Sequence, residues 1–79
     1  MIPKELERIL SSSPNIMSGA ICFTGTRVPV QALLDTIDDG DTVQDFLTGF
    51  PDVTLQQARA VLHWEQTQAR QVLGLQTAE

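Results

Sequence analysis

Apolar residues recur at helical spacing in four stretches of the chain and crowd together in a fifth. Leu6, Ile9 and Leu10 share one face of Pro3 to Leu10, with Lys4, Glu7 and Arg8 on the others. This spacing predicts a short N-terminal helix, opened by Pro3 at the first helical position, where its missing N–H costs nothing. Ser11-Ser12-Ser13-Pro14 ends it, because Pro14 biases Ser13 away from helical geometry. Between Ile16 and Thr24 the pattern changes. Ile21, Cys22 and Phe23 favour an extended backbone and lie between bends at Gly19 and Gly25, which predicts the only strand-like stretch. An isolated strand leaves a row of unpaired N–H and C=O groups. The strand must fold back on Asn15 to Met17 or pair with another chain, and pairing across a dimer or with a partner protein is the favoured arrangement.

Helical spacing resumes after Pro29. Val30, Leu33, Leu34 and Ile37 form one face of a helix from Val30 to Asp39, ended by Gly40. Val43, Phe46, Leu47 and Phe50 form the buried face of a second helix, Val43 to Gly49, with Asp41 or Thr42 as its N-cap. Pro51 enforces a turn, and Thr54 caps a third helix running from Leu55 to Leu73, roughly 30 Å long. Its first half is densely apolar (Leu55, Ala58, Val61, Leu62, Trp64). Beyond Glu65 the apolar positions thin to Ala69, Val72 and Leu73, so this end is expected to project from the bundle or to pack on a partner. The predicted fold is mostly α: a three-helix core of helix-turn-helix, homeodomain-like order, with a short N-terminal helix and one short β-strand or hairpin. Residues 1–13 read as a helical arm and residues 14–79 as the domain proper.

Seventy-nine residues allow one domain, near the size at which a single core is only marginally stabilising. Burial of a face in a partner or a second copy is therefore expected, as a homodimer or higher oligomer or as a complex. The single cysteine, Cys22, excludes an internal disulfide and a cysteine-based zinc site, and its apolar flanks read as burial. No apolar run is long enough to span a membrane, and no secretory signal opens the chain, so the expected location is the cytoplasm. The net charge of −5 is unevenly placed. Only Lys4, Arg8, Arg27, Arg59 and Arg70 are basic, whereas Asp35, Asp38, Asp39, Asp41, Asp45 and Asp52 crowd the stretch that holds no cation.

Catalytic and metal chemistry find little footing. His63 has no second ligand three or four residues away, since Arg59, Ala60, Gln66 and Thr67 occupy those positions. The aspartates around Asp38-Asp39-Gly40-Asp41 do not follow an EF-hand. They read as a solvated acidic face or a docking surface for a basic partner. Ser11, Ser12 and Ser13 have no neighbouring base to activate them. The chain is expected not to be an enzyme, and no cofactor is expected. Trp64 reads as core or as an interface hot spot. Arg27 reads as pairing with Asp35 or Asp38, pinning the strand to the first helix.

Two motifs carry a family resemblance: G-T-R-V-P-V from Gly25 to Val30, and F-P-D-V-T from Phe50 to Thr54. Each is weak alone, but with this spacing the chain resembles the DUF433 family, small bacterial proteins related to antitoxins, over Pro14 to Gln68. The chain departs from the family's pattern at Ser18-Gly19, Ile21 and Phe23, where a glycine pair, a proline and an isoleucine are usual. Its strand is consequently more apolar, which points to burial in an interface.

The order of helices makes the one after F-P-D-V-T a recognition helix, presenting Thr54, Gln56, Gln57, Arg59 and His63 to base edges. The charge opposes this reading, because most DNA affinity comes from Lys and Arg at phosphates. Weak DNA binding by the isolated protein is the expectation. The candidate partner or dimer contacts are Ile21, Phe23, Arg27, Trp64, Val72 and Leu73. The resemblance implies an antitoxin-like protein that occludes a cognate toxin, a PIN-like ribonuclease by family analogy, with joint operator binding for autoregulation. A basic RNA-binding surface would suit an acidic partner. The alternative is a stand-alone oligomeric regulator or scaffold without a toxin.

Overall fold

The computed structural model describes residues 2–75, so the outermost ends of the expected arm and domain, residue 1 and residues 76–79, lie outside the described residues. Of the helix expected over Pro3 to Leu10, one 3₁₀ turn remains, Lys4–Leu6. The chain then extends into strand β1 (Leu10–Ser12), which pairs antiparallel with β2 (Ile21–Phe23). Leu10 lies opposite Phe23, Ser11 opposite Cys22 and Ser12 opposite Ile21. The strand's partner is therefore its own N-terminal segment, neither Asn15 to Met17 nor another chain. Pairing satisfies backbone groups of β2 that one more helical turn would leave open. A turn at Met17–Gly19 returns the chain, with Ser18 and Gly19 at φ of 56° and 86°. The Ser12 hydroxyl donates to the Gly19 carbonyl at 2.7 Å and closes the loop.

Three helices follow the hairpin. Helix α1 (Val30–Asp38) buries Leu33 fully and ends at Gly40, whose φ of 93° suits glycine. Asp41 N–H donates to the Thr36 carbonyl at 3.1 Å and Gly40 N–H to that of Ile37 at 3.0 Å, so the last carbonyls are satisfied. Helix α2 (Val43–Gly49) begins with a reciprocal cap. Asp45 N–H donates to Thr42 Oγ1 at 3.1 Å, and Thr42 N–H donates to Asp45 Oδ2 at 3.0 Å. The Thr42 backbone amide first, and its side chain second, hold the Asp45 carboxyl below the ordinary aspartate range.

Phe50 closes α2, and Val53 N–H bonds back to the Phe50 carbonyl at 3.1 Å, which turns the chain into α3 (Leu55–Leu73). Gly74, at φ 71°, terminates that helix. The protein is mostly α, three helices with one antiparallel hairpin. Its core gathers Leu6, Leu10, Phe23, Leu33, Phe46, Val53, Ala58 and Val61 from nearly every element. Tilted aromatic contacts run through it, Phe23 to Phe46 at 6.1 Å and Phe46 to Phe50 at 5.0 Å between ring centres.

Candidate functional site

The two sequence motifs are, first, pieces of scaffold. Within G-T-R-V-P the Phe23 carbonyl accepts both the Thr26 N–H at 3.0 Å and the Thr26 hydroxyl at 2.8 Å. Val28 N–H donates to Thr26 Oγ1 at 3.1 Å, and Phe23 N–H donates to the Val28 carbonyl at 3.0 Å. Gly25 takes the turn position that requires positive φ, here 82°. Within F-P-D-V-T, Val53 enters the core and Thr54 caps α3. One side chain joins the two motifs. Gln57 accepts the Thr54 N–H on Oε1 at 3.0 Å and donates from Nε2 to the Thr24 carbonyl at 3.1 Å. Gln57→Ala should remove half of the cap and this tether together, lowering stability by about 1–2 kcal/mol. A chemical-denaturation curve reads the change, and an unaltered midpoint would show that neither bond matters.

That arrangement gives two of the candidate DNA contacts a structural role. Thr54 and Gln57 spend their hydrogen-bonding groups on the cap, because Gln57 N–H also donates to Thr54 Oγ1 at 3.0 Å. Gln56, Arg59 and His63 remain exposed and line one open concavity of about 490 Å³ with Leu55 and Ala60. Arg59 is the only cation among these lining residues. A reciprocal cap was legible in T-L-Q-Q, Thr54 to Gln57, as glutamine three residues after a capping threonine.

The candidate protein contacts divide as well. Phe23 is fully buried in the protomer's own core and cannot reach a partner, which corrects its place among them. Ile21 and Trp64 are half-buried and line an apolar groove of about 480 Å³ with Leu6, Leu10, Pro29 and Leu34. Trp64 Nε1 is buried with no hydrogen-bond partner among the described residues, as is Thr67 Oγ1 one turn further along α3. Arg27 is exposed at its turn. It lines a polar concavity with Ser11, Ile16, Gly25, Thr26 and Asp52, and of the aspartates it is Asp52, not the expected Asp35 or Asp38, that shares this lining. Asp35 instead accepts a bond from Gln31 Nε2 at 2.9 Å.

Val72 and Leu73 are 81% and 68% exposed, at the end of α3 that leaves the body of the protein. Leu75, which the helical pattern did not reach because it lies beyond Gly74, is 59% exposed and extends the same apolar end. The closure of the helix is complete there, with Leu75 N–H on the Arg70 carbonyl at 2.8 Å and Gly74 N–H on that of Gln71 at 3.3 Å. Among the described residues no helix is long and apolar enough to cross a membrane.

Residues 10–64 match the family described as a protein of unknown function, DUF433. The chain belongs to the DUF433 family. The match begins at Leu10, so it takes in β1 and reaches further toward the N-terminus than the two motifs alone indicated. The fold is also similar to the crystal structure of a DUF433 member protein from Anabaena variabilis ATCC 29413, with a TM-score of 0.65 and 21% identity. That likeness covers 90% of this chain and 81% of the other. At such identity it speaks for the fold alone. No protein curated for its function matches the chain.

Proposed function

We propose that this DUF433 protein is a cytoplasmic protein-binding module rather than an enzyme, an antitoxin-like partner that occludes a cognate toxin of the PIN-like ribonuclease class. One observation carries the reading: α3 is capped at both ends, yet its last two residues, Val72 and Leu73, and Leu75 just past the Gly74 cap are exposed and apolar. Exposed leucines scattered singly are ordinary, but three clustered at one projecting end form an anchor that a groove on another protein can take up. The acidic balance supports a basic partner, because a net charge of −5 favours encounter with an RNA-binding surface. The test is to purify the tagged protein from its native cells with its bound proteins and assay the complex for ribonuclease activity. A stoichiometric basic protein whose nuclease activity appears only after the two are separated supports the reading. Recovery of the protein alone, or of a partner equally active in the complex, removes it.

A second reading has one specific observation in its favour. Gln56, Arg59 and His63 share an exposed face near the start of α3, as a homeodomain-like recognition helix would present them. Autoregulatory DNA binding would then rest on these three rather than the original five, and would be weak for the isolated protein. Arg59→Ala should lower operator affinity and reduce the salt slope by about one unit. Titrations at several salt concentrations read both, and an unchanged slope takes Arg59 off the DNA.

A further inference from the structure

The N-terminal 3₁₀ turn packs on α3 between two hollows. One is the apolar groove of about 480 Å³, whose lining includes Pro3 and Leu6 from the turn and Val61 and Trp64 from the helix. The other, of about 360 Å³, takes Glu5 and Leu6 from the turn and Trp64, Thr67, Gln68 and Gln71 from the helix. Leu6 and Trp64 are the two residues common to both linings. They form the partition between the hollows.

The turn is lightly held. Leu6 N–H donates to the Pro3 carbonyl at 2.9 Å, Glu7 N–H to that of Lys4 at 3.3 Å and Ile9 N–H to that of Leu6 at 3.0 Å, all inside the segment. Among the described residues no hydrogen bond joins residues 2–8 to another element. Apolar burial keeps the turn in place, with Leu6 in the core and Ile2 and Ile9 packed against it. Two polar atoms oppose that burial. Trp64 Nε1 and Thr67 Oγ1 are shut off from solvent without a partner among the described residues, and both residues border the turn. A buried donor or acceptor left without a partner loses its hydration and gains nothing in return.

We infer that Lys4–Leu6 is a gate over α3, which swings open while the rest of the fold stays closed. Thr24 N–H holds the Ile9 carbonyl at 2.8 Å and the strand register fixes Leu10, so the hinge falls at the exposed residues Glu7 and Arg8. Opening breaks one backbone bond, Ile9 N–H to the Leu6 carbonyl, and exposes Leu6. In return it hydrates Trp64 Nε1 and Thr67 Oγ1. It also removes the partition. The two hollows then become one trough along α3 from Ala60 to Gln71, roughly 16 Å long at the usual helical rise. The trough is apolar toward Leu34 and Val61 and carries amides at Gln68 and Gln71. In the closed form Leu6 occupies its middle, so any segment seated there must first displace the turn. The gate is independent of the toxin reading, which rests on Val72, Leu73 and Leu75.

Trp64 is the only tryptophan, so its indole N–H gives a single resonance and its fluorescence a single signal. The experiment is hydrogen exchange of the full chain, followed by NMR at increasing urea below the unfolding transition. The Trp64 indole N–H should be protected relative to free tryptophan, yet about a hundredfold or more less than the best-protected amides of α3. Its exchange should depend little on urea, because opening one turn exposes little surface. Thr67→Val keeps the side-chain shape, removes one unpartnered group, and should slow the indole exchange about threefold or more. Leu6→Ala should speed it about tenfold or more and increase acrylamide quenching of Trp64. Indole protection equal to that of α3, with the same steep urea dependence, overturns the inference, since Trp64 then opens only with global unfolding. So does an indole exchange rate that Thr67→Val leaves unchanged. If Leu6→Ala does not fold, the native protein and Thr67→Val decide the outcome by themselves.

Discussion

Phe23→Ala should leave most of the protein unfolded at physiological temperature. Phe23 has no exposed surface, lies at 6.1 Å from Phe46 across the core, and sits on the strand opposite Leu10. Removing a buried phenylalanine costs about 3–5 kcal/mol, through lost transfer free energy and the cavity left behind. A single core of this size supplies roughly 3–5 kcal/mol in total, so the loss is of the same order as the whole stability. Collapse around the gap is limited, because Leu10 is fixed by the strand register and Phe46 by the capped helix α2. A thermal melt followed by circular dichroism should show a broad, early transition or none. Ile21→Ala, on the same strand but half-buried, should keep a cooperative transition lowered by a smaller step. If Phe23→Ala instead melts within a few degrees of the native protein, Phe23 is not the centre of this core.

The contrast between Phe23 and α3 shows what the sequence conveys. Both later helices begin and end where their local signals place them: Thr42 and Thr54 cap them, and Val43–Gly49 and Leu55–Leu73 are their spans. The first helix stops one residue short of expectation, with Asp39 as its C-cap. Caps, glycine stops and 3.6-residue spacing act within a few residues of chain, so they are legible locally. Burial of Cys22 was legible too, from its apolar flanks. The N-terminal segment was not, because Leu6, Ile9 and Leu10 fit a helix face as well as a turn followed by a strand. Ser11-Ser12 carries no alternation to decide the matter. What decides is β2, ten residues further on. Phe23 failed for a related reason: an apolar strand residue looks the same whether it is buried by its own chain or by another. The role of Gln57 in the scaffold was not read either, because a glutamine suited to adenine is equally suited to an N-cap and a carbonyl.

Motif residues and exposed residues consequently part ways. Thr26, Val53, Thr54 and Gln57 hold the turns and caps that define the fold. Arg27 and Asp52 are the charged members that the scaffold leaves at the surface, lining one concavity with Ser11. In this chain the two motifs therefore serve the architecture through some residues and leave others at the surface. A third set, the apolar end of α3, lies outside the family match, which stops at Trp64.

That division leads to the sharpest expectation for binding. Val72→Asp with Leu73→Asp should leave the melting temperature close to native, because both side chains are exposed and neither enters the core cluster. The same pair should weaken a partner that seats this end in an apolar groove about a hundredfold or more. Two anchors are lost and two carboxylates must be desolvated on docking. Lysine at the same positions separates the two causes. A basic partner should tolerate aspartate better than lysine if charge dominates, and should reject both alike if apolar burial dominates. Calorimetric titration against the captured partner measures the affinities, with circular dichroism melts of each variant alongside. Native affinity in the doubly substituted protein would place the partner elsewhere, with the apolar groove at Trp64 the next surface to alter.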